Sequence, residues 1–390
     1  ITSNYSRSQL MNSHSRDQLD SKPCRYRMPG EWEAHAATWL AWPHFRGDWP
    51  GKFEPIPWVY AEIIRNLVRH ERVELIVNDA ESEKRARKVL QRANALSDKI
   101  TFRCWPTDRV WTRDSGCTFV VSASDASNLR SPAGKSVARP TRKATGSSLA
   151  AIKWRFNAWA KYPNWKKDEK IGSRMAKAAR AHEIRPVFNS ERVVLEGGSI
   201  DSNGRGTLLT TEECLLSTEQ QRNKRFGRED YENVFRDYLG IKTVIWLGGG
   251  IVGDDTHGHV DDISRFVAPD TVVTVVEKNS SDPNYAALQE NLRRLRAAMD
   301  QDGKPLRVIE LPMPRPVIFD GRRLPASYGN FYIANGIVLV PVFNDPNDRV
   351  ALGILSEIFP DREVIGIYSG DLIWGFGAMH CMTQQQPAVG

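Results

Sequence analysis

Two spacings of apolar residues run through this chain. Apolar positions three and four apart mark helices at residues 57–70, 81–95, 228–239, 284–299 and 348–358. Short alternating or β-branched runs mark strands at 73–77, 100–104, 244–247, 271–277, 307–311, 336–343 and 363–367. Trp39-Leu-Ala-Trp-Pro43 reads as a buried strand that runs into a turn. Gly240 follows the 228–239 helix as a C-cap, where its lack of a Cβ permits a left-handed residue. Helices and strands alternate along the chain, so the expected class is mixed α+β.

Two stretches break the pattern. Residues 1–27 are Ser-rich and polar and lack the apolar core of a secretory signal, so a disordered N-terminal extension is expected there. Residues 122–148 are rich in Ser, Ala, Gly, Pro, Lys and Arg and nearly free of large apolar side chains, which predicts a surface insertion. The chemistry-bearing motifs on its two sides belong together, so residues 28–390 are expected to form a single catalytic domain. A weak repeat also runs through that region. Turn-and-strand segments begin near Asp114, Glu196, His259, Asn330 and Cys381, some tens of residues apart. Such spacing suggests repeated units in a ring, an arrangement that carries the first residues of distant segments to one axis.

Composition narrows the class. With 390 residues, 41% of them hydrophobic and 26% charged, the chain reads as a globular protein with a large core. No apolar run reaches the roughly 20 residues needed to span a bilayer. The net charge is +7. Much of it comes from Lys and Arg between residues 130 and 180, which read as a solvated face, not a nucleic-acid footprint, because no nucleic-acid motif accompanies them. The five cysteines are widely spaced with no Cys-x-x-Cys pair, which argues against a thiolate metal site and for a reduced, cytoplasmic setting.

Four short segments concentrate reactive side chains: Trp111-Thr-Arg-Asp-Ser-Gly116, Leu195-Glu-Gly-Gly-Ser199, Gly258-His-Val-Asp261 and Gly375-Phe-Gly-Ala-Met-His-Cys381. Together they offer a thiol, an imidazole and three carboxylates. That set suits hydrolysis of a guanidinium, which is planar and stays protonated. Carboxylates grip its N–H groups, a thiolate attacks its carbon, and an acid/base moves protons for the leaving ammonia and the incoming water. Cys381, with small neighbours that admit a ligand, fits the nucleophile. Cys104, Cys117 and Cys214 read as core thiols in strand-like runs. His259 fits the acid/base, and an extended 258–261 segment would turn His259 and Asp261 to one face. Glu196 and Asp114 supply further carboxylates, although each has a structural alternative as a turn partner or, for Asp114, as a mate of Arg113. His380 adjoins Cys381, but neighbours on a strand face opposite ways, so the two are not paired. His257 reads as a tuning residue or a surface one.

These residues carry a resemblance. Met28-Pro-Gly-Glu-Trp-Glu-Ala-His35, Ala41-Trp-Pro-His44, Ala326-Ser-Tyr-Gly-Asn-Phe-Tyr332 and His380-Cys-Met-Thr-Gln-Gln-Gln-Pro387, together with the motifs above, resemble agmatine deiminases and the related Porphyromonas-type peptidylarginine deiminases of the guanidine-modifying pentein superfamily. The resemblance implies a five-bladed α/β propeller with pseudo-fivefold repeats and the site on its axis. It implies Cys381 as nucleophile, His259 and Glu196 in proton transfer, and Asp114 and Asp261 on the guanidinium. Trp42 and Trp111 would wall the channel, and Asp255 would meet the far ammonium of agmatine. A covalent thiouronium intermediate, no metal or other cofactor, and a homodimer are also implied. The activity implied is hydrolysis of agmatine to N-carbamoylputrescine and ammonia. The alternatives are deimination of peptidyl-arginine or another guanidino compound, or an idle guanidinium-binding pentein. The chain departs from the family pattern at Cys117, Phe376 and Ala378.

Overall fold

The computed structural model describes residues 25–123 and 148–389. Among the described residues, the longer strands fall into five sheets of three or four strands, and each sheet follows one pattern. A leading strand pairs antiparallel with the next strand, which then pairs parallel with the one after. Thus Asp201–Ser202 lies beside Thr207–Thr211, which lies parallel to Thr243–Leu247. Ser264–Ala268, Thr271–Val276 and Arg307–Pro312 repeat the arrangement, as do Tyr332–Ala334, Ile337–Val342 and Glu363–Tyr368. The C-terminal strand Gln384–Pro387 leads the sheet of His35–Ala41, Arg72–Val77 and Ile100–Cys104, so the two ends of the fold share one sheet. The fifth sheet runs Tyr26–Arg27, Thr118–Ser122, Leu149–Ile152 and His182–Ile184.

Parallel neighbours need a long crossover, and here a helix supplies it in each sheet. Helix Ile56–Leu67 joins the first parallel pair. Its Ile56, Tyr60, Ile63, Ile64 and Leu67 recur at helical spacing and are all buried. Helix Ala80–Arg92 starts where the Asp79 carboxylate accepts the Ser82 N–H at 2.7 Å. Helix Arg228–Leu239 ends at Gly240, whose φ of 72° is the left-handed conformation expected there. Helices Tyr285–Ala297 and Asn347–Ile358 complete the crossovers near their expected positions. Helix Ile171–Ala178, which joins the parallel strands Leu149–Ile152 and His182–Ile184, carried no recognisable signal among the basic residues around it.

Three differences from the sequence reading concern the site. Order begins before Met28, because Tyr26 is buried and pairs with Ser122 across the fifth sheet. His380 and Cys381 lie in a turn, residues 379–382, and not on a strand. The segment around His259 is not extended either, since Val260–Asp262 is a 3-10 turn. Nearly all of the expected 1–27 extension and the 122–148 insertion lies outside the described residues. The insertion's flanks meet in the sheet, where the Ser122 N–H donates to the Ser148 carbonyl at 2.9 Å.

Candidate active site

A short turn precedes the leading strand of every sheet but the fifth, whose turn precedes its second strand. These turns carry the reactive side chains. Asp114 sits in the turn Thr112–Ser115, ahead of Thr118–Ser122. Glu196 directly precedes the turn Gly197–Ser199, and His259 the turn that contains Asp261. Asn330 lies two residues before Tyr332–Ala334, and Cys381 three before Gln384–Pro387. The turns converge. A side chain at Gly198 would put its Cβ 2.5 Å from His259 Nδ1, 3.0 Å from Asp261 Oδ2 and 3.1 Å from Asp114 Oδ1. The missing Cβ therefore lets an imidazole and two carboxylates close in on this backbone. Cys381 Sγ lies 3.6 Å from Asp261 Oδ2 and 3.0 Å from Asn330 Nδ2.

The electrostatics are those of a buried acidic pocket threaded with buried cationic partners. His259 is fully buried, and neither ring nitrogen has a hydrogen-bond partner. Its Nε2 lies 3.8 Å from Glu196, and its Nδ1 lies 3.9 Å from Asp114 and 4.0 Å from Asp261. Burial favours the neutral ring, but Asp114, Glu196 and the Cys214 thiol outweigh it and hold the pKa well above the usual histidine range. Glu196 is also buried, yet the Arg222 guanidinium and His259 keep its carboxyl below the ordinary value. Arg222 Nε reaches both Glu196 oxygens, at 3.1 and 3.2 Å. Asp261 is likewise held ionised against burial, by a hydrogen bond from His380 and the charges of His380, His259 and Arg265. Its neighbour Asp262 goes the other way: burial and the Asp261 charge push it well up. Burial, with Asp261 and Glu196 close by, raises Asp114 despite His259. Burial and the carboxylates of Asp261, Asp262 and Asp114 push the Cys381 thiol well above its usual range. The pocket thus holds a neutral thiol and a surplus of acceptors, among them Asp261 Oδ1, which no donor of the described residues reaches.

A cavity of about 210 Å³ leads to this centre. Trp111, Trp159 and Trp374 line it together with Asp48, Arg109, Tyr162, Asp255, Phe376, Asp114 and Cys381. Trp159 Nε1 donates to Asp114 Oδ2 at 2.8 Å and so aims that carboxylate. A model of the Porphyromonas-type peptidyl-arginine deiminase family matches residues 27–387. The chain belongs to that family. It is 33% identical to the agmatine deiminase of Pseudomonas aeruginosa strain LESB58, over 93% of this chain and 96% of that one. It is 34% identical to that of Stutzerimonas stutzeri, with the same coverage. Among solved structures, the agmatine deiminase of Enterococcus faecalis matches with a TM-score of 0.80 at 29% identity, covering 93% and 96% of the two chains. A C. jejuni agmatine deiminase with substrate bound matches at 0.76 and 26%, again over 93% and 96%.

Within this member of the family, Asp114, Glu196, His259, Asp261 and Cys381 come together, and Trp111 and Asp255 lie on the cavity wall. Trp42 does not line the cavity. It is buried edge-on to Tyr60, with ring centroids 6.2 Å apart. His380, set aside on the strand argument, belongs to the centre because Cys381 sits in a turn, where alternation does not apply. Its Nδ1 meets Asp261 Oδ2 at 2.6 Å and its Nε2 meets Glu31 Oε2 at 2.8 Å. Glu31 in turn holds Arg265 and Arg113, at 2.9 and 3.2 Å. The cysteines also divide differently from expectation. Cys117 is buried, Cys104 is exposed, and Cys214 lies on a short helix with its sulfur within 4.8 Å of the Glu196 and His259 donor atoms. His257 lies outside the centre, beside Ser217 and Glu213. Among the described residues, no helix is long and apolar enough to cross a membrane.

Proposed function

We propose that this chain hydrolyses agmatine to N-carbamoylputrescine and ammonia. The observation that carries the reading is the meeting of Cys381, His259, Asp114 and Asp261 around Gly198, where Asp114 and Cys381 close a tryptophan-walled cavity. A guanidinium at that end of the cavity is matched by charge. Asp114 and Asp261 accept its N–H groups and hold its plane still. Its positive charge offsets the carboxylates that keep Cys381 protonated, so the thiol loses its proton to solvent as the cation arrives. The sulfur attacks the guanidinium carbon and forms a C–S bond. His259 gives its proton to the departing nitrogen, the C–N bond breaks, and ammonia leaves an alkylthiouronium on Cys381. His259, now neutral and steadied by Glu196, takes a proton from water as that water attacks the same carbon. The C–S bond breaks as the carbonyl forms, the second proton of the water passes to the departing sulfur, the ureido product leaves, and the neutral thiol is restored. We read the five sheets as blades of a pentein propeller around this site, a reading supported by their shared strand pattern.

The cavity is smaller than the roughly 300–1,000 Å³ of pockets for drug-sized ligands, which favours a small cation over an arginyl peptide. The test is ammonia release from agmatine, free arginine and an arginyl peptide. Agmatine should be turned over with the highest kcat/KM. Preference for another member of the panel would overturn the substrate assignment, and binding of agmatine without turnover of any would mark an idle binding protein.

A further inference from the structure

The far end of the cavity holds two carboxylates in different states. Asp255 is already satisfied. Its Oδ1 takes the Lys161 ammonium at 2.5 Å, and its Oδ2 takes the Tyr162 hydroxyl at 2.6 Å. Asp48, in the 3-10 turn Arg46–Asp48, is only half satisfied. Arg109 Nη1 holds its Oδ1. Among the described residues no donor reaches its buried Oδ2 with good hydrogen-bond geometry, and the Trp111 side chain offers the carboxyl only a weak hydrogen bond.

We propose that Asp48, and not Asp255, receives the distal ammonium of the substrate. The inference rests on the agmatine reading above and deepens it. An ammonium arriving at Asp255 would have to displace Lys161, which exchanges one alkylammonium for another and gains little. The same group at Asp48 gives a buried, unpartnered oxygen its missing donor, and removal of that deficit favours binding. The spacing agrees. The Trp111 ring packs against Gly377 beside Cys381, and the same side chain acts on Asp48 at its other end. One indole therefore separates the reacting end from Asp48, a span that suits a four-carbon chain. The charge on Asp48 is also under-compensated. Burial raises its pKa to about 7 in spite of Arg109, and the Asp255 charge adds to the rise. The titratable groups that face it are Arg109, Asp255, Tyr60 and Tyr162.

The test compares agmatine with pentylguanidine, in which a methyl replaces the ammonium, in the wild type, Asp48→Asn and Asp255→Asn. In the wild type kcat/KM should favour agmatine. In Asp48→Asn that preference should fall by about 10- to 100-fold, whereas Asp255→Asn should keep it within about threefold. Preference retained in Asp48→Asn, or lost in Asp255→Asn, overturns the assignment and leaves the agmatine reading intact. Equal rates on both compounds in the wild type would defeat the agmatine reading and this inference together. Should Asp48→Asn not fold, the wild type still decides. The KM for agmatine relative to pentylguanidine should rise as pH falls below about 7, where Asp48 takes up its proton. A ratio independent of pH overturns the proposal.

Discussion

Cys381 should ionise only when a guanidinium is beside it. In the free protein, burial and the carboxylates of Asp261, Asp262 and Asp114 hold the thiol well above its usual range. A substrate poised for attack brings a unit positive charge to about 3.5 Å from the sulfur. At an effective dielectric of about 20 that interaction is worth about 4–5 kcal/mol, or about three pKa units. Pairing of Asp114 and Asp261 with the same cation removes part of their opposing effect and acts in the same direction. The pH dependence of inactivation by iodoacetamide reads the free thiol, and the pH dependence of kcat at saturating agmatine reads the complex. Inactivation should keep accelerating past the ordinary thiol value of about 8.5. The kcat profile should level off at least about two pH units lower. Inactivation that already levels off near neutral pH would mean that the thiolate exists without the cation, and the electrostatic argument would fail.

Other outcomes follow from the same geometry. Glu196→Gln should lower kcat by about 100- to 10,000-fold, because His259 loses the carboxylate at its Nε2. It should also leave the buried Arg222 unpaired, at a cost of about 3–5 kcal/mol read from the urea midpoint; an unchanged midpoint would show that the pair is not held as described. His380→Gln frees Asp261 from its anchor, so KM for agmatine should rise by about 10-fold or more with a smaller change in kcat; a pure loss of kcat would assign His380 to proton transfer instead. Phe376 has a φ of 65° and narrows the cavity. Phe376→Gly should relieve about 1 kcal/mol of backbone strain, offset by lost contact with Trp374, and should improve kcat/KM for bulkier guanidines relative to agmatine. No change in that relative rate would exclude Phe376 as a limit on substrate size.

Much of the fold was legible because period alone separates its elements. The apolar stripe of Ile56, Tyr60, Ile63 and Leu67 announces a helix, and Thr271–Val276 announces a strand, whatever packs against them. Asp114, Glu196, His259 and Cys381 stood out because each sits near glycines at the start of a strand, where a ligand can approach. What remained hidden depends on distance in space and not on local pattern. Arg222 is 26 positions from Glu196, and nothing in its neighbours announces the pair. The Lys161–Asp255 contact joins residues 94 apart and lies in a stretch that reads as plain surface charge. His380 was set aside by a rule for strands that a turn does not obey. Trp42 was expected in a channel wall on the strength of the family resemblance, and only packing tells a lining indole from a core one.

The central claim is that the sulfur of Cys381 becomes bonded to the guanidinium carbon during turnover. Acid-quenched protein, taken during steady-state turnover of agmatine and digested for mass spectrometry, tests it directly. The account predicts one modified peptide, the one that contains Cys381, heavier by the mass of agmatine less ammonia. Full turnover with that peptide unmodified at every quench time, or with undiminished rate in Cys381→Ser, would contradict it.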